Sequence, residues 1–239
     1  MESETPGQRF LDAFNEIEHV LRSRSKTSES HLGFSELVRS SKDLVERQKN
    51  LLRDYAELRN AIVHTRTLGG QIIADPREDV VLKIVEQAEL IENPPRVLSA
   101  LRLSPPRMFA SSDSILDFLE IVRPPTYFSQ APVRTADGAI SLVTTNAVAR
   151  WVSDGWEPLQ GAILPETDIA SVLEFAESGD RVLIRDRGLR VVEAWRLFTG
   201  EAGDPPAAIL LTHTGIETET PLGLCVRADL PEMLRSLKV

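Results

Sequence analysis

Cysteine occurs once, at Cys225, so no disulfide can close within the chain. Histidine occurs four times without any clustered Cys/His spacing, so neither a structural zinc site nor any other bound metal is expected. No apolar run approaches the ~18 residues that a membrane-spanning helix requires. The opening Met1-Glu2-Ser3-Glu4 is acidic rather than basic, so neither a membrane span nor a secretory signal is expected, and a cytoplasmic setting is. Basic residues are outnumbered, 27 against 36, for a net charge of −9. That balance lacks the footprint of a nonspecific nucleic-acid binder, and no DNA partner is expected. Aromatics are sparse at 5%, and Trp151, Trp156 and Trp195 are too scattered for an RNA-stacking surface, which makes them core or interface residues. Gly-x-Gly-x-x-Gly, Walker, Gly-x-Ser-x-Gly and His-Glu-x-x-His motifs are all missing.

The 239 residues present are 42% hydrophobic, enough for a sizeable core in one, two or three small domains. Asn93-Pro94-Pro95 marks a change of character, since paired prolines stop a helix and stiffen a connection. Before it the chain reads as a helical bundle. Phe10, Phe14, Ile17, Val20 and Leu21 repeat at helical spacing over about 6–22, with Pro6 suited to a first turn. A loop over 23–30, a short helix near Gly33–Val38 and a long helix over about 44–65 follow. Gly69-Gly70 breaks the chain, Ile72-Ile73 is a short extended piece, and Asp75 and Pro76 cap and start a helix running to Ile91.

The remainder carries an internal repeat. A helix over 114–122, Pro124-Pro125, strands over 127–133 and 140–144 and a helix over 146–153 form one copy. A helix over 191–198, Pro205-Pro206, strands over 208–212 and 222–226 and a helix over 228–237 form the other. The proline pairs lie 81 positions apart. Two strands feeding a helix, twice, suggest a tandem α/β unit with pseudo-twofold symmetry, with a further helix over 168–178 between the copies.

The sharpest local signal is Arg59-Asn60-Ala61-Ile62-Val63-His64. At about 100° per residue, Leu44, Leu51, Tyr55, Leu58 and Ile62 form the core face of the long helix, and Arg53, Glu57, Asn60 and His64 gather opposite it. His64 then reads as a surface or helix-capping histidine. Around it, residues 22–66 hold ten basic and six acidic side chains, a local +4 that is either a solvated helical face or a site for an anion such as RNA phosphate. Arg-x4-His near the end of a long helix, with a polar residue after the Arg, resembles the signature of HEPN-domain proteins, and the likeness covers about residues 8–93. It implies metal-free RNA cleavage with no catalytic cofactor. His64 would move the proton of the attacking 2′-OH or the leaving oxygen, Arg59 would neutralise the scissile phosphate, and Asn60 would orient it. Histidine's ordinary pKa of about 6.5 and the guanidinium's affinity for phosphate suit those roles. Arg59 and His64 stand about 140° apart on one helix, and the resemblance supplies the remedy: a homodimer whose paired helices build a composite site.

The repeated strand–strand–helix pieces resemble a tandem CBS-domain (Bateman) module over about residues 104–239. Pro221-Leu222-Gly223-Leu224-Cys225-Val226-Arg227-Ala228-Asp229-Leu230 is similar to the family's Gly-hydrophobic-hydrophobic-Thr-x-x-Asp, with Asp229 in the place of the Asp and Val226 in that of the hydroxyl. The first copy has the complementary set, Thr144 for the hydroxyl and Ala147 for the Asp. The resemblance implies that Asp229, with Thr144 as a second candidate, holds a regulatory adenine nucleotide (ATP, ADP or AMP). An ordinary helix cap is the other reading of Asp229. Cys225, inside an apolar run, reads as a small buried side chain. Arg181, Arg185, Arg187 and Arg190, interleaved with Asp180 and Asp186, read as a phosphate contact or a surface strand, and His213-Thr214-Gly215 as a turn.

The expected architecture is α+β: an all-α HEPN-like bundle over 1–93, a linker over 94–103, and an α/β CBS pair over 104–239 with copies at about 104–155 and 179–239. The expected function is a nucleotide-regulated, metal-independent endoribonuclease. The alternative is a non-enzymatic adenine-nucleotide sensor whose helical domain only dimerises or docks to a partner.

Overall fold

In the computed structural model, which describes residues 4–25, 32–64, 75–154 and 167–239, the helical periodicity of the N-terminal third produces four helices: α1 (Pro6–Arg24), α2 (Phe34–Ser40), α3 (Glu46–His64) and α4 (Glu78–Glu92). Gly69-Gly70, Ile72-Ile73 and Trp156 lie outside the described residues. α1 packs against α2, α3 and α4. Its predicted apolar stripe is the core, with Phe10, Phe14, Ile17 and Leu21 buried against Leu37, Val38, Leu52, Tyr55, Ile62, Val81, Ile84 and Ala88. Thr5 caps α1 through its side chain, accepting from the Gln8 N–H at 3.2 Å, ahead of Pro6 in the first turn.

Two local expectations change. Asp75 does not cap α4. Its carboxylate accepts from the Gly7 N–H at 3.0 Å and so finishes the start of α1, while Arg77 precedes α4. The far end of α4 is closed by α1, where Arg24 donates to the carbonyls of Ile91 (2.7 Å) and Glu92 (2.8 Å). The buried stripe of α3 runs through Gln48, Leu52, Tyr55 and Ile62, and Leu51 and Leu58 are only partly buried beside it.

The chain divides into two units, residues up to Pro95 with 234–239, and Arg96–Met233. The last residues join the helical unit through polar contacts. The Gln87 side chain, held by Gln48 at 3.3 Å, donates to the Leu237 carbonyl at 3.1 Å, and Lys238 pairs with Glu86 at 3.2 Å.

The second unit contains α5 (Val97–Ala100), β1 (Phe109–Ala110), α6 (Ile115–Val122), β2 (Gln130–Arg134), β3 (Ile140–Thr144), α7 (Thr145–Asp154) and α8 (Ile169–Leu173). It continues with β4 (Val182–Asp186), α9 (Val191–Phe198), β5 (Ala208–Thr212), β6 (Gly223–Val226) and the start of α10 (Leu230–Ser236). Together with the bundle this is the expected α+β class, helices plus two small sheets. The sheets have the same plan. β1 runs parallel to β2 and β2 antiparallel to β3, just as β4 runs parallel to β5 and β5 antiparallel to β6. The repeat read from sequence is therefore a β-α-β-β-α unit used twice. The two-residue β1 carried too little pattern to be seen, and residues 127–129, expected in strand, precede β2. The helix expected over 168–178 shrinks to α8, capped by Asp168 on the Ser171 N–H at 2.9 Å, followed by a 3₁₀ turn over Ser178–Asp180.

The copies exchange their leading segments. Arg96, just before α5, bridges to Arg190 at the start of α9, and Asp168, just before α8, bridges to Ser114 at the start of α6. The 94–103 segment, expected as a linker, thus contains α5, whose Val97 N–H bonds the Leu189 carbonyl at 3.0 Å. Gly223 permits this arrangement, since a Cβ there would lie 2.7 Å from the Leu103 Cβ. No helix among the described residues is long and apolar enough to cross a membrane.

Candidate functional site

Thr144 ends β3 and Val226 ends β6, so the two strand-to-helix junctions occupy equivalent places, 82 residues apart. At the first junction Thr144 is buried and its hydroxyl works in both directions. It accepts from the Ala147 N–H at 3.0 Å, which opens α7, and donates to Asp180 Oδ1 at 3.2 Å. Asp180 also accepts from the Glu177 N–H at 3.0 Å and pairs closely with Arg150 of α7. Arg150 in turn donates to the Phe175 carbonyl at 2.7 Å. One carboxylate therefore ties the end of β3, the body of α7 and the entry to β4 together. Asp180 and Arg150 had no assigned role in the sequence, because their meeting across 30 positions leaves no local pattern.

At the second junction Asp229 is half-buried. Its Oδ2 accepts from the Val226 N–H at 2.8 Å, which is the capping role weighed for it. Its Oδ1 has no hydrogen-bond partner among the described residues, and burial pushes its carboxyl above the ordinary carboxylate range. Cys225 beside it is fully buried, its thiol pushed up to about 12 by burial and then by the Asp229 charge. Thr144 and Asp229 belong to different copies and sit at different junctions.

In the helical unit, Arg59 falls between Tyr55 and Ile62 on the buried stripe of α3 rather than away from it. Its guanidinium carbon lies 5.9 Å from the Phe14 ring centroid, and Nη1 donates to Asn60 Oδ1 at 3.3 Å. Asn60 is exposed, and His64 is the last residue of α3, its side chain outside what is described. Much of the +4 segment is engaged internally. Arg22 pairs with Glu18, Arg39 with Glu36 and Arg53 with Glu46, Arg24 closes α4, and Lys49 donates to the Arg39 carbonyl. Lys26 and Arg66 lie outside the described residues. Among the described residues no group of three His, Cys, Asp or Glu side chains gathers to hold a metal ion.

No family model matches the chain, and no curated protein matches it. Among solved structures, CbpB in complex with c-di-AMP is similar at 13% identity and a TM-score of 0.43, over 66% of this chain and 95% of that one. A CBS domain protein from Streptococcus pneumoniae TIGR4 is similar at 13% identity and a TM-score of 0.40, over 59% and 86% of the two chains. The CBS domain of a CBS-domain-containing membrane protein from Sphaerobacter thermophilus is similar at 16% identity and a TM-score of 0.40, over 65% and 96%.

Proposed function

We propose that the α/β unit is a paired CBS-like module that senses an adenine nucleotide, with Asp229 as the carboxylate that binds its ribose. The observation that carries this reading is the half-satisfied state of Asp229. One oxygen holds the backbone and the other has no donor among the described residues, in surroundings that disfavour its charge. Two ribose hydroxyls are the donors such a group lacks, and a hydrogen bond to a charged acceptor contributes about 1.5–3 kcal/mol. Thr144 supports the first junction from within the protein, its hydroxyl already committed on both sides.

Calorimetric titration with ATP, ADP, AMP and c-di-AMP tests the reading. Wild type binds one of them, and Asp229→Ala binds at least tenfold more weakly. A ligand at 100 times its Kd adds about 2.7 kcal/mol to the stability of the folded state, visible as a rise in Tm. Absence of binding and of any Tm rise with all four nucleotides at millimolar concentration would overturn it.

A second reading concerns the helical unit. Arg59 has no carboxylate partner among the described residues and holds Asn60 beside it near the end of α3. In this reading two copies pair, Arg59 and Asn60 engage an RNA phosphate, His64 moves the proton of the 2′-OH, and nucleotide binding gates the activity. Gating requires the nucleotide to bind the active and inactive states with different affinity. Cleavage in EDTA that leaves 2′,3′-cyclic phosphate ends and disappears in both Arg59→Ala and His64→Ala supports it. Intact RNA under every nucleotide condition leaves the helical unit as a dimerising or docking element.

A further inference from the structure

The arginine-rich strand singled out in the sequence borders a cleft whose lining includes no residue of the Thr144 or Val226 junction. Its volume is about 580 Å³, within the usual range for small-ligand sites. Arg185 on β4, Arg190 at the start of α9 and Arg196 on α9 line it, all three half-buried, and Leu189 and Leu197 add apolar wall. Two acids share the lining, and both are occupied in shaping the turn. Asp186 Oδ1 accepts from the Gly188 N–H at 2.7 Å, and Glu193 Oε2 accepts from the Arg190 N–H at 2.9 Å. Arg185 donates to the Ile184 carbonyl at 2.8 Å and has no carboxylate partner among the described residues. Arg196 meets Glu201 through Nε at 3.4 Å, beyond a strong charge-assisted bond and open to exchange for a better acceptor.

We propose that this cleft binds the phosphoryl group of a small phosphorylated molecule. Guanidinium forks match the several oxygens of a phosphate, and partial burial lowers the local screening that weakens such contacts at an open surface. The site is independent of Asp229: the two share no residue.

Inorganic phosphate and pyrophosphate are the probes, titrated into the full chain at low salt and followed by calorimetry and by arginine Nε–Hε NMR signals. Pyrophosphate binds wild type and shifts the Arg185 and Arg196 signals. Arg185→Gln weakens binding at least tenfold, while Arg187→Gln, an exposed neighbour outside the lining, changes it less than twofold. Glu201→Gln tightens binding two- to fivefold by removing the competing acid, the opposite sign to Arg196→Gln. Asp229→Ala leaves pyrophosphate affinity unchanged. Circular dichroism of each variant checks the fold. No binding by wild type, equal losses in Arg185→Gln and Arg187→Gln, or loss of pyrophosphate binding in Asp229→Ala would each overturn the assignment.

Discussion

Asp180 joins the two copies of the α/β repeat, and replacing it measures what that junction contributes. Asp180→Ala removes the close pair with Arg150, the acceptor of the Thr144 hydroxyl and the acceptor of the Glu177 N–H. Asp180 is 10% exposed at its side chain and Arg150 30%, so the pair lies between the surface and buried regimes. After discounting for that solvent access, the pair itself contributes about 1–2 kcal/mol. The buried Thr144 hydroxyl loses about 1 kcal/mol of hydrogen bonding, and the exposed Glu177 N–H turns to water at little cost. The expected total is about 2–3 kcal/mol. Every tryptophan of the chain falls between residues 96 and 233, so tryptophan fluorescence reports this unit alone. With a urea m-value of about 1–3 kcal/mol/M, the midpoint falls by roughly 1–3 M. The double-mutant cycle with Arg150→Ala returns a coupling of about 1–2 kcal/mol. A loss below about 0.5 kcal/mol in Asp180→Ala, or a coupling near zero, would refute the account, because either means that water replaces these contacts at no cost.

Three further outcomes follow from buried or tightly bonded groups. Tyr55 is buried edge-on to Phe10, its hydroxyl has no partner among the described residues, and burial followed by the Asp54 and Glu86 charges pushes its pKa up to about 12. Tyr55→Phe should stabilise the helical unit by about 1 kcal/mol in denaturation followed by circular dichroism, and a loss of that size would show an overlooked partner. Glu219 accepts from the Thr214 N–H at 2.7 Å and its hydroxyl at 2.8 Å, and chiefly the backbone bond holds its carboxyl down at about 2. Because the folded value lies below the unfolded one, its stabilisation is complete above about 4.5 and is lost as pH falls toward about 2. Glu219→Gln should therefore flatten the acid limb of the stability profile between those values, and an unchanged slope contradicts the assignment. Cys225, with its thiol at about 12 and no exposure, should resist Ellman's reagent in the native state and react only as the α/β unit unfolds. Immediate reaction would mean that β6 opens locally.

The agreement between sequence and structure follows the range of the interactions. Phe10, Phe14, Ile17 and Leu21 specify α1, and Pro6 its start, because helical periodicity and first-turn geometry act over a few residues. The repeat was legible for the same reason: strands β3, β5 and β6 and the helices that follow β3 and β6 are short runs beside turn signals. Where pattern was thin, the reading failed. Two-residue β1 has no period to detect, and Tyr127 and Phe128 are β-favouring types placed outside the strand, after the turn that precedes it. On α3 hydrophobicity points to Leu51 and Leu58, yet Leu52 and Gln48, which meets Gln87 of α4, are the buried residues, and Arg59 falls on that same stripe, where its guanidinium lies against Phe14.

The amino-acid sequence alone determined the helical first third, the doubled α/β pattern and the positions of the strand-to-helix junctions at Thr144 and Val226. Each of these follows from spacing along the chain, which fixes which residues share a face. The tertiary structure alone decided which polar group meets which: Asp75 with Gly7, Arg24 with the end of α4, Gln87 with the carbonyl of Leu237, and Asp180 with Thr144 and Arg150. Those partners are 30 or more residues apart, and polar side chains carry no periodic signal of a distant mate. A buried donor or acceptor must nevertheless find one, so its choice is settled only when packing brings the segments together. The same holds for Asp229, whose candidacy came from its place in a motif and whose half-satisfied carboxylate became visible only in the folded chain.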